Sequence, residues 1–348
     1  MYRPEMFTSH AFKLKQGLMN TISNSGREDL FRHTMLSSKS LLAWTFVALQ
    51  VIGGLAVPTR REITDILKRA DNSADDVVNT PAGPISKSKL HAVPQGAQIQ
   101  QLGSTGSSQS IRVLAANGTT IHTITSAAST HTRRTLVSGY AAYTYWANAP
   151  NAIPIALFST SWIVPPIPEN SDDSQLLYLF NGLESTAGDS ILQPVLQYGV
   201  SAAGGGNYWS VASWFVANGE AFYTPAVEVS PGQSLQGILT ATSLTTSDTG
   251  EKVYGYNSLL APIPSSSLSI SSPVELTSAW EVLEIYNVNE ASDLPRGRTQ
   301  MTKINIINNN GQRPPVNWTP YTDDAKFGAQ VVMDGPTDGE VDIIYPLQ

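Results

Sequence analysis

The chain has no cysteine among its 348 residues. That excludes disulfides, a thiolate nucleophile and cysteine metal sites. Secreted proteins often carry disulfides but need not, so the compartment stays open. Histidine is scarce and unevenly placed: all five (His10, His33, His91, His122, His131) precede residue 135. If residues 135–348 are an independent catalytic unit, it has no Ser-His-Asp triad, no Cys-His pair and no histidine-bound zinc. Chemistry there must come from carboxylates, amides, hydroxyls or a metal held by oxygens. Charge is sparse, at 14% of residues, and segregated. Residues 1–134 hold 15 Lys+Arg against 8 Asp+Glu, a net of +7, whereas residues 135–348 hold 6 against 20, a net of −14. The acidic half argues against a nucleic-acid partner.

Long apolar runs are also lacking, with one exception. Residues 40–56, "SLLAWTFVALQVIGGLA", are uncharged, with Lys39 before them and Arg60-Arg61 after. The run is short for a bilayer span, which wants about 20 residues. It suits the apolar region of a secretory signal, with Gly53, Gly54 and Ala56 near a cleavage point. Met35 lies immediately upstream and gives an ordinary signal if translation starts there. The expected division is therefore an extension and signal over 1–57, with secretion and no lasting membrane association. A basic segment over 58–134 follows, and then a β domain over 135–348. In the middle segment Ile63, Ile66 and Leu67 have helical spacing, so one helix is predicted. The rest is rich in Ser, Thr, Gly, Gln and Ala, too poor in large apolar residues to bury a core of its own. It ends at Arg133-Arg134, a dibasic pair of the kind that processing enzymes cut. Sequons at Asn117 and Asn317 could carry glycans in a secreted chain.

From about residue 140 the texture changes to short runs rich in Val, Ile, Thr, Tyr and Trp, split by Gly, Pro, Asn and Asp. "ALFSTSWIV", "SQLLYLF", "SILQPVLQYGV", "YWSVASWFV", "AFYTPAVEV", "SLQGILTATSL", "KVYGYNSLL", "VELTSAWEVLEIY", "TKINIINN", "AKFGAQVVM" and "EVDIIYP" read as strands. No long helical period interrupts them, so the expectation is an all-β, antiparallel two-sheet sandwich.

Two of these strands carry candidate chemistry. In "SILQPVLQYGV" alternation puts Leu192, Leu196 and Tyr198 on one face and Gln193, Val195 and Gln197 on the other. The second face is either wet or holds amides aimed at something that becomes negative. Pro194 warns of a bulge that could break this parity. In "SAWEVLEIY", Trp280, Val282, Glu284 and Tyr286 share one face; Glu281, Leu283 and Ile285 share the other. A carboxylate among Trp, Val and Tyr is partly desolvated, and desolvation raises a carboxyl pKa toward the range of acid–base work. A glutamate at a sheet rim, or paired with Arg296 or Arg298, is the plainer alternative.

Together the two stretches resemble the glutamic peptidases, or eqolisins, over roughly residues 140–300. "Val195-Leu196-Gln197-Tyr198-Gly199-Val200" is similar to that family's glutamine motif. "Ala279-Trp280-Glu281-Val282-Leu283-Glu284" is similar to its glutamate motif, with the tryptophan moved one place. "TSWIVPPIP" and "LFNGLES" stand upstream as in the family, with Phe180 replacing a tryptophan that lies beside the dyad. The resemblance implies a concanavalin-like β-sandwich, a secreted acid-active endopeptidase, a Gln197/Glu284 dyad and a polypeptide substrate. It implies a proprotein with a basic propeptide, and no metal or cofactor. Gln193 remains an alternate because its distance from Gly182 is nearer the family's spacing, and Glu281 because of the tryptophan shift. The implied mechanism has Glu284 take a proton from water while Gln197 donates to the oxyanion. The charge segregation adds an expectation that residues 58–134 cover the groove until acid neutralises the carboxylates. A monomer is expected.

Two other readings use the same residues. Concanavalin-like sandwiches also bind carbohydrate, and Trp209 and Trp214, beside the glycines at 204–206, could stack on sugar rings while Gln193 and Gln197 bond hydroxyls. A glycosidase could pair Glu284 with Glu184 or Glu228.

Overall fold

In the computed structural model the residues that can be described are 77–103, 108–127, 139–171, 174–322 and 327–347. The signal, the helix expected around 63–67 and the dibasic pair lie outside them. The described chain is almost wholly strand. In order these are β1 (Val77–Thr80), β2 (Gly83–Ser86), β3 (Leu90–Ala92), β4 (Gln98–Gln101), β5 (Ser108–Leu114), β6 (Thr120–Ala127) and β7 (Tyr140–Ala147). Next come β8 (Ile155–Ile163), β9 (Leu176–Ser185), β10 (Ser190–Ser201), β11 (Gly204–Ala217), β12 (Glu220–Tyr223), β13 (Val227–Glu228) and β14 (Ser234–Thr246). The last are β15 (Lys252–Ala261), β16 (Ile263–Ser272), β17 (Leu276–Tyr286), β18 (Arg298–Asn308), β19 (Thr319–Thr322), β20 (Gly328–Met333) and β21 (Gly339–Ile344). Single 3-10 turns at Lys87–Lys89 and Ala291–Asp293 are the helical elements among the described residues.

Two sheets stack as the expected sandwich. One runs β19-β7-β17-β9-β10-β11-β12-β3, with β13 beside β11. The other runs β20-β21-β18-β8-β14-β15-β16-β4-β5-β6. Leu179, Leu192, Leu196, Phe215 and Leu283 of the first meet Phe158, Trp162, Leu239, Ile270 and Ile306 of the second in one buried cluster. Alternation then sends the intervening side chains of the first sheet outward. There Tyr178, Phe180, Val195, Trp214 and Val282 make a second buried cluster. A strand with both faces buried reads as a near-continuous apolar run, which is what β9 and β10 show.

Residues 77–127 differ from the low-complexity chain that their composition suggests. They form six strands, and Val93, Ile99, Ile111 and Val113 are buried in the inter-sheet core. β3 pairs parallel with β12, and β4 pairs parallel with β16. The segment is too poor to build a core alone, so it completes the edges of one that already exists. β1 and β2 form a separate two-stranded hairpin, whose Ile85 belongs to the outer cluster.

Candidate functional site

The site is built on the outer face of the first sheet. β9 lies between β10 and β17, and its register aligns Gln197 with Tyr178 and Tyr178 with Glu284. The three share one cross-sheet row, with Gln197 and Glu284 about 10 Å apart at Cα, two strand spacings. All three are fully buried. The β10–β11 ladder runs through Pro194 opposite Ser213 without a shift, so the parity of the glutamines survives the proline. Shifts occur instead at Tyr198/Gly199 and at Leu283/Glu284, beside the two candidate residues. Bulges of this kind re-aim side chains and are common next to sites.

Glu284 accepts a hydrogen bond from the Tyr286 hydroxyl, two residues along the same face. Gly139, at φ +124°, lies against the pair: a Cβ there would come within 2.8 Å of Glu284 Oε1 and of the Tyr286 oxygen. Burial and the nearby Glu284 charge push the hydroxyls of Tyr178 and Tyr286 well above the ordinary tyrosine range. Both therefore stay protonated donors at any working pH.

Gln197 is committed to its own turn. Its Nε2 donates to Gly204 O at 2.8 Å and to Gly199 O at 3.3 Å, and its Oε1 accepts from Ser201 Oγ at 3.0 Å. Gly205, at φ +104°, leaves room for that amide; a Cβ would come within 2.6 Å of Nε2. Gln193, on the same face, points outward and donates to Pro81 O. Its Oε1 and the indole N–H of Trp214 opposite it are buried without a partner among the described residues.

The remaining candidates separate by face. Glu281 points between the sheets, where it accepts from Thr160 Oγ1 of β8. Burial raises its carboxyl pKa well above the ordinary value, with the Thr160 bond pulling the other way. It is a core carboxyl, held apart from the outer face. Phe180 is on the outer face but one row away, between Val195 and Val282. Trp209 is in the inter-sheet core and donates to Pro166 O at 3.4 Å. Trp214 is fully buried on the outer face against Tyr178 and Tyr223.

Neither glycosidase pair is close enough. Glu228 shares the Glu284 row but is four strands away, through Ser210, Gln197 and Tyr178. Glu184 is six residues along β9 from Tyr178. Both separations are about 20 Å, against the ~5–9.5 Å that paired glycosidase carboxyls need. Among the described residues no three His, Asp or Glu side chains converge as a metal site.

The hairpin covers this face. Tyr178 donates to Asn79 O at 3.1 Å, Tyr286 lies 3.3 Å from Thr80 O and shares its one proton between that oxygen and Glu284, and Gln193 donates to Pro81 O. Three consecutive main-chain carbonyls are thus held by side chains of three different strands. Sequence reasoning put Tyr286 on the Glu284 face without giving its hydroxyl a role, and missed Tyr178. Their signal was parity: each is two residues from a candidate (Phe180 and Glu284) and so on the same face.

No family model matches the chain, and no curated protein matches it. Among solved structures it is similar to scytalido-glutamic peptidase with a peptide-based transition-state analogue, at 14% identity and a TM-score of 0.39. It is also similar to SCP-B, described as a member of the eqolisin family of peptidases in a complex with the tripeptide Ala-Ile-His, at 14% identity and a TM-score of 0.36. In both cases 60% of this chain and 98% of that chain are covered. The likeness is a distant one of fold.

Proposed function

We propose that this protein is a secreted, acid-active endopeptidase, made as a proprotein, that hydrolyses a polypeptide bound in extended form beside Glu284. The observation that carries the reading is the grip on the carbonyls of Asn79, Thr80 and Pro81. A sheet face that binds successive main-chain carbonyls beside a buried carboxylate has the features needed to hold and hydrolyse a peptide. The outer aromatic cluster would take apolar side chains, and the unpartnered Gln193 Oε1 and Trp214 N–H would take further main-chain groups. In the reaction the Glu284 carboxylate removes a proton from water, the water oxygen bonds to the carbonyl carbon, and the carbonyl electron pair moves to oxygen. The C–N bond then breaks as Glu284 returns the proton to the amine nitrogen. The hairpin and strands β3–β6 act as the prosegment, and the hairpin, which covers the face, must move for a substrate to enter. Carbohydrate binding finds no support in Trp209 and Trp214, since neither offers an open ring face.

The test is cleavage of a denatured protein by the full chain across pH 2–7, beside Glu284→Gln. Acid cleavage lost in the variant supports the reading. Cleavage that persists undiminished in Glu284→Gln would sink it.

A further inference from the structure

We propose that Tyr178, through its hydroxyl, is the group that holds the oxyanion; the inference rests on the peptidase reading above. The register pairs Tyr178 with both Gln197 and Glu284 on the neighbouring strands. It already performs the equivalent contact, donating at 3.1 Å to the carbonyl of Asn79. Asn79 O shows that a main-chain carbonyl can meet this hydroxyl, and the next carbonyl along, Thr80 O, meets the Tyr286 hydroxyl that bonds Glu284.

The amide cannot readily do this work. Both protons of Gln197 Nε2 go to Gly199 O and Gly204 O, which close the β10–β11 turn. Turning that amide toward substrate would take its protons from Gly199 O and Gly204 O, leaving Gly204 O only the longer bond from Ser201 Oγ at 3.3 Å, at a cost of order 1 kcal/mol. Phe180, the next outward residue of β9, has no donor and lies between two valines. Tyr178 fills the gap with a rigid donor. Its ring is fully buried and packs edge-on against Trp214 (6.4 Å, 72°) and Tyr286 (6.3 Å, 82°). A donor fixed before the charge develops costs no reorganisation when it does. As water adds to the carbonyl carbon with its proton passing to Glu284, the new oxyanion accepts from Tyr178. When the C–N bond breaks, the electron pair returns to form the carbonyl, and the phenol keeps its proton throughout.

The test uses full-length protein and a peptide substrate, with kcat and KM measured for wild type, Tyr178→Phe and Glu284→Gln, beside a thermal melt. Tyr178→Phe keeps the ring and its packing. It is expected to lower kcat by about 10²–10³-fold, the usual loss of one oxyanion donor, with KM changed by no more than a few-fold. Loss of the bond to Asn79 loosens the cover, which would raise activity, so a lowered kcat cannot come from that source. Should the phenylalanine variant fail to fold, 3,5-difluorotyrosine at position 178 keeps the shape and strengthens the donor; a changed kcat supports the proposal and an identical one overturns it. Wild-type kcat in folded Tyr178→Phe, with Glu284→Gln inactive, overturns the role of Tyr178 and leaves the peptidase reading standing. A wild type without cleavage overturns both.

Discussion

At the scale of residues, two glutamates three positions apart on β17 have opposite environments because alternation alone sends them to opposite faces, the register against β9 running unbroken from Glu281 to Glu284. Glu281 is buried with a raised carboxyl pKa, so the fold favours its neutral form more than the unfolded chain does. A raised native pKa contributes stability that is complete below the unfolded value, near 4, and is lost as pH rises above it. Glu281→Gln should therefore flatten the decline in melting temperature between acid and neutral pH. An unchanged slope in thermal melts would contradict the assignment. Glu284 instead receives the Tyr286 hydroxyl. A donor to a carboxylate favours its charged form, so Tyr286→Phe should move the acid limb of the pH–rate profile upward. A limb that stays in place would mean the hydroxyl does not tune the carboxylate. The pairing of Gln193 and Gln197 on one face was legible from alternation alone. Which amide was committed to a turn was not, because that depends on Gly199, Gly204 and Ser201 meeting it across the bulge.

At the scale of elements, eleven runs rich in Val, Ile, Thr and aromatics were visible as strands and correspond to strands here. Others were hidden by polar residues. β16, "IPSSSLSISS", has Ser266, Leu268, Ile270 and Ser272 on its buried face, so serines occupy half of an apolar stripe. They are tolerated because Ser266 bonds backbone at Leu260 and Ile263, and Ser272 bonds Gln101. β1 and β2 were hidden for a different reason. Their value to the fold lies in main-chain carbonyls, which any residue supplies, so the sequence carries little trace of it. Gly139 marks the neighbouring element's close approach. Gly139→Ala should displace the Glu284–Tyr286 pair, lowering activity at least tenfold with a modest loss of thermal stability. Full activity in the alanine variant would show that the pair tolerates the shift.

At the scale of the whole molecule, residues 77–127 are tied to both sheets by β3 and β4 and by the partly buried contact of His91 Nε2 with Glu220 Oε2 at 2.9 Å. His91 also stacks on Phe222. The charge asymmetry, +7 against −14, pointed to contact between the segments; the pairing partners could not be read from it. A chain cut at Arg133-Arg134 should accordingly run as one particle in gel filtration at neutral pH and as two bands under denaturing conditions. Separation of the fragments at neutral pH would contradict a prosegment built into the sheets.

The central claim is that a peptide-binding face lies beneath the hairpin with Glu284 as its reactive group. The most direct measurement is a mass-spectrometric count of new termini in a denatured protein after acid incubation with the full chain. Wild type is compared with Ile85→Asp, which replaces the buried apolar anchor of the hairpin by a polar carboxyl group, and with Ile85→Asp combined with Glu284→Gln. More new termini are expected from Ile85→Asp than from wild type, and none from the double variant. No gain from opening the hairpin, or termini that persist without Glu284, would contradict it.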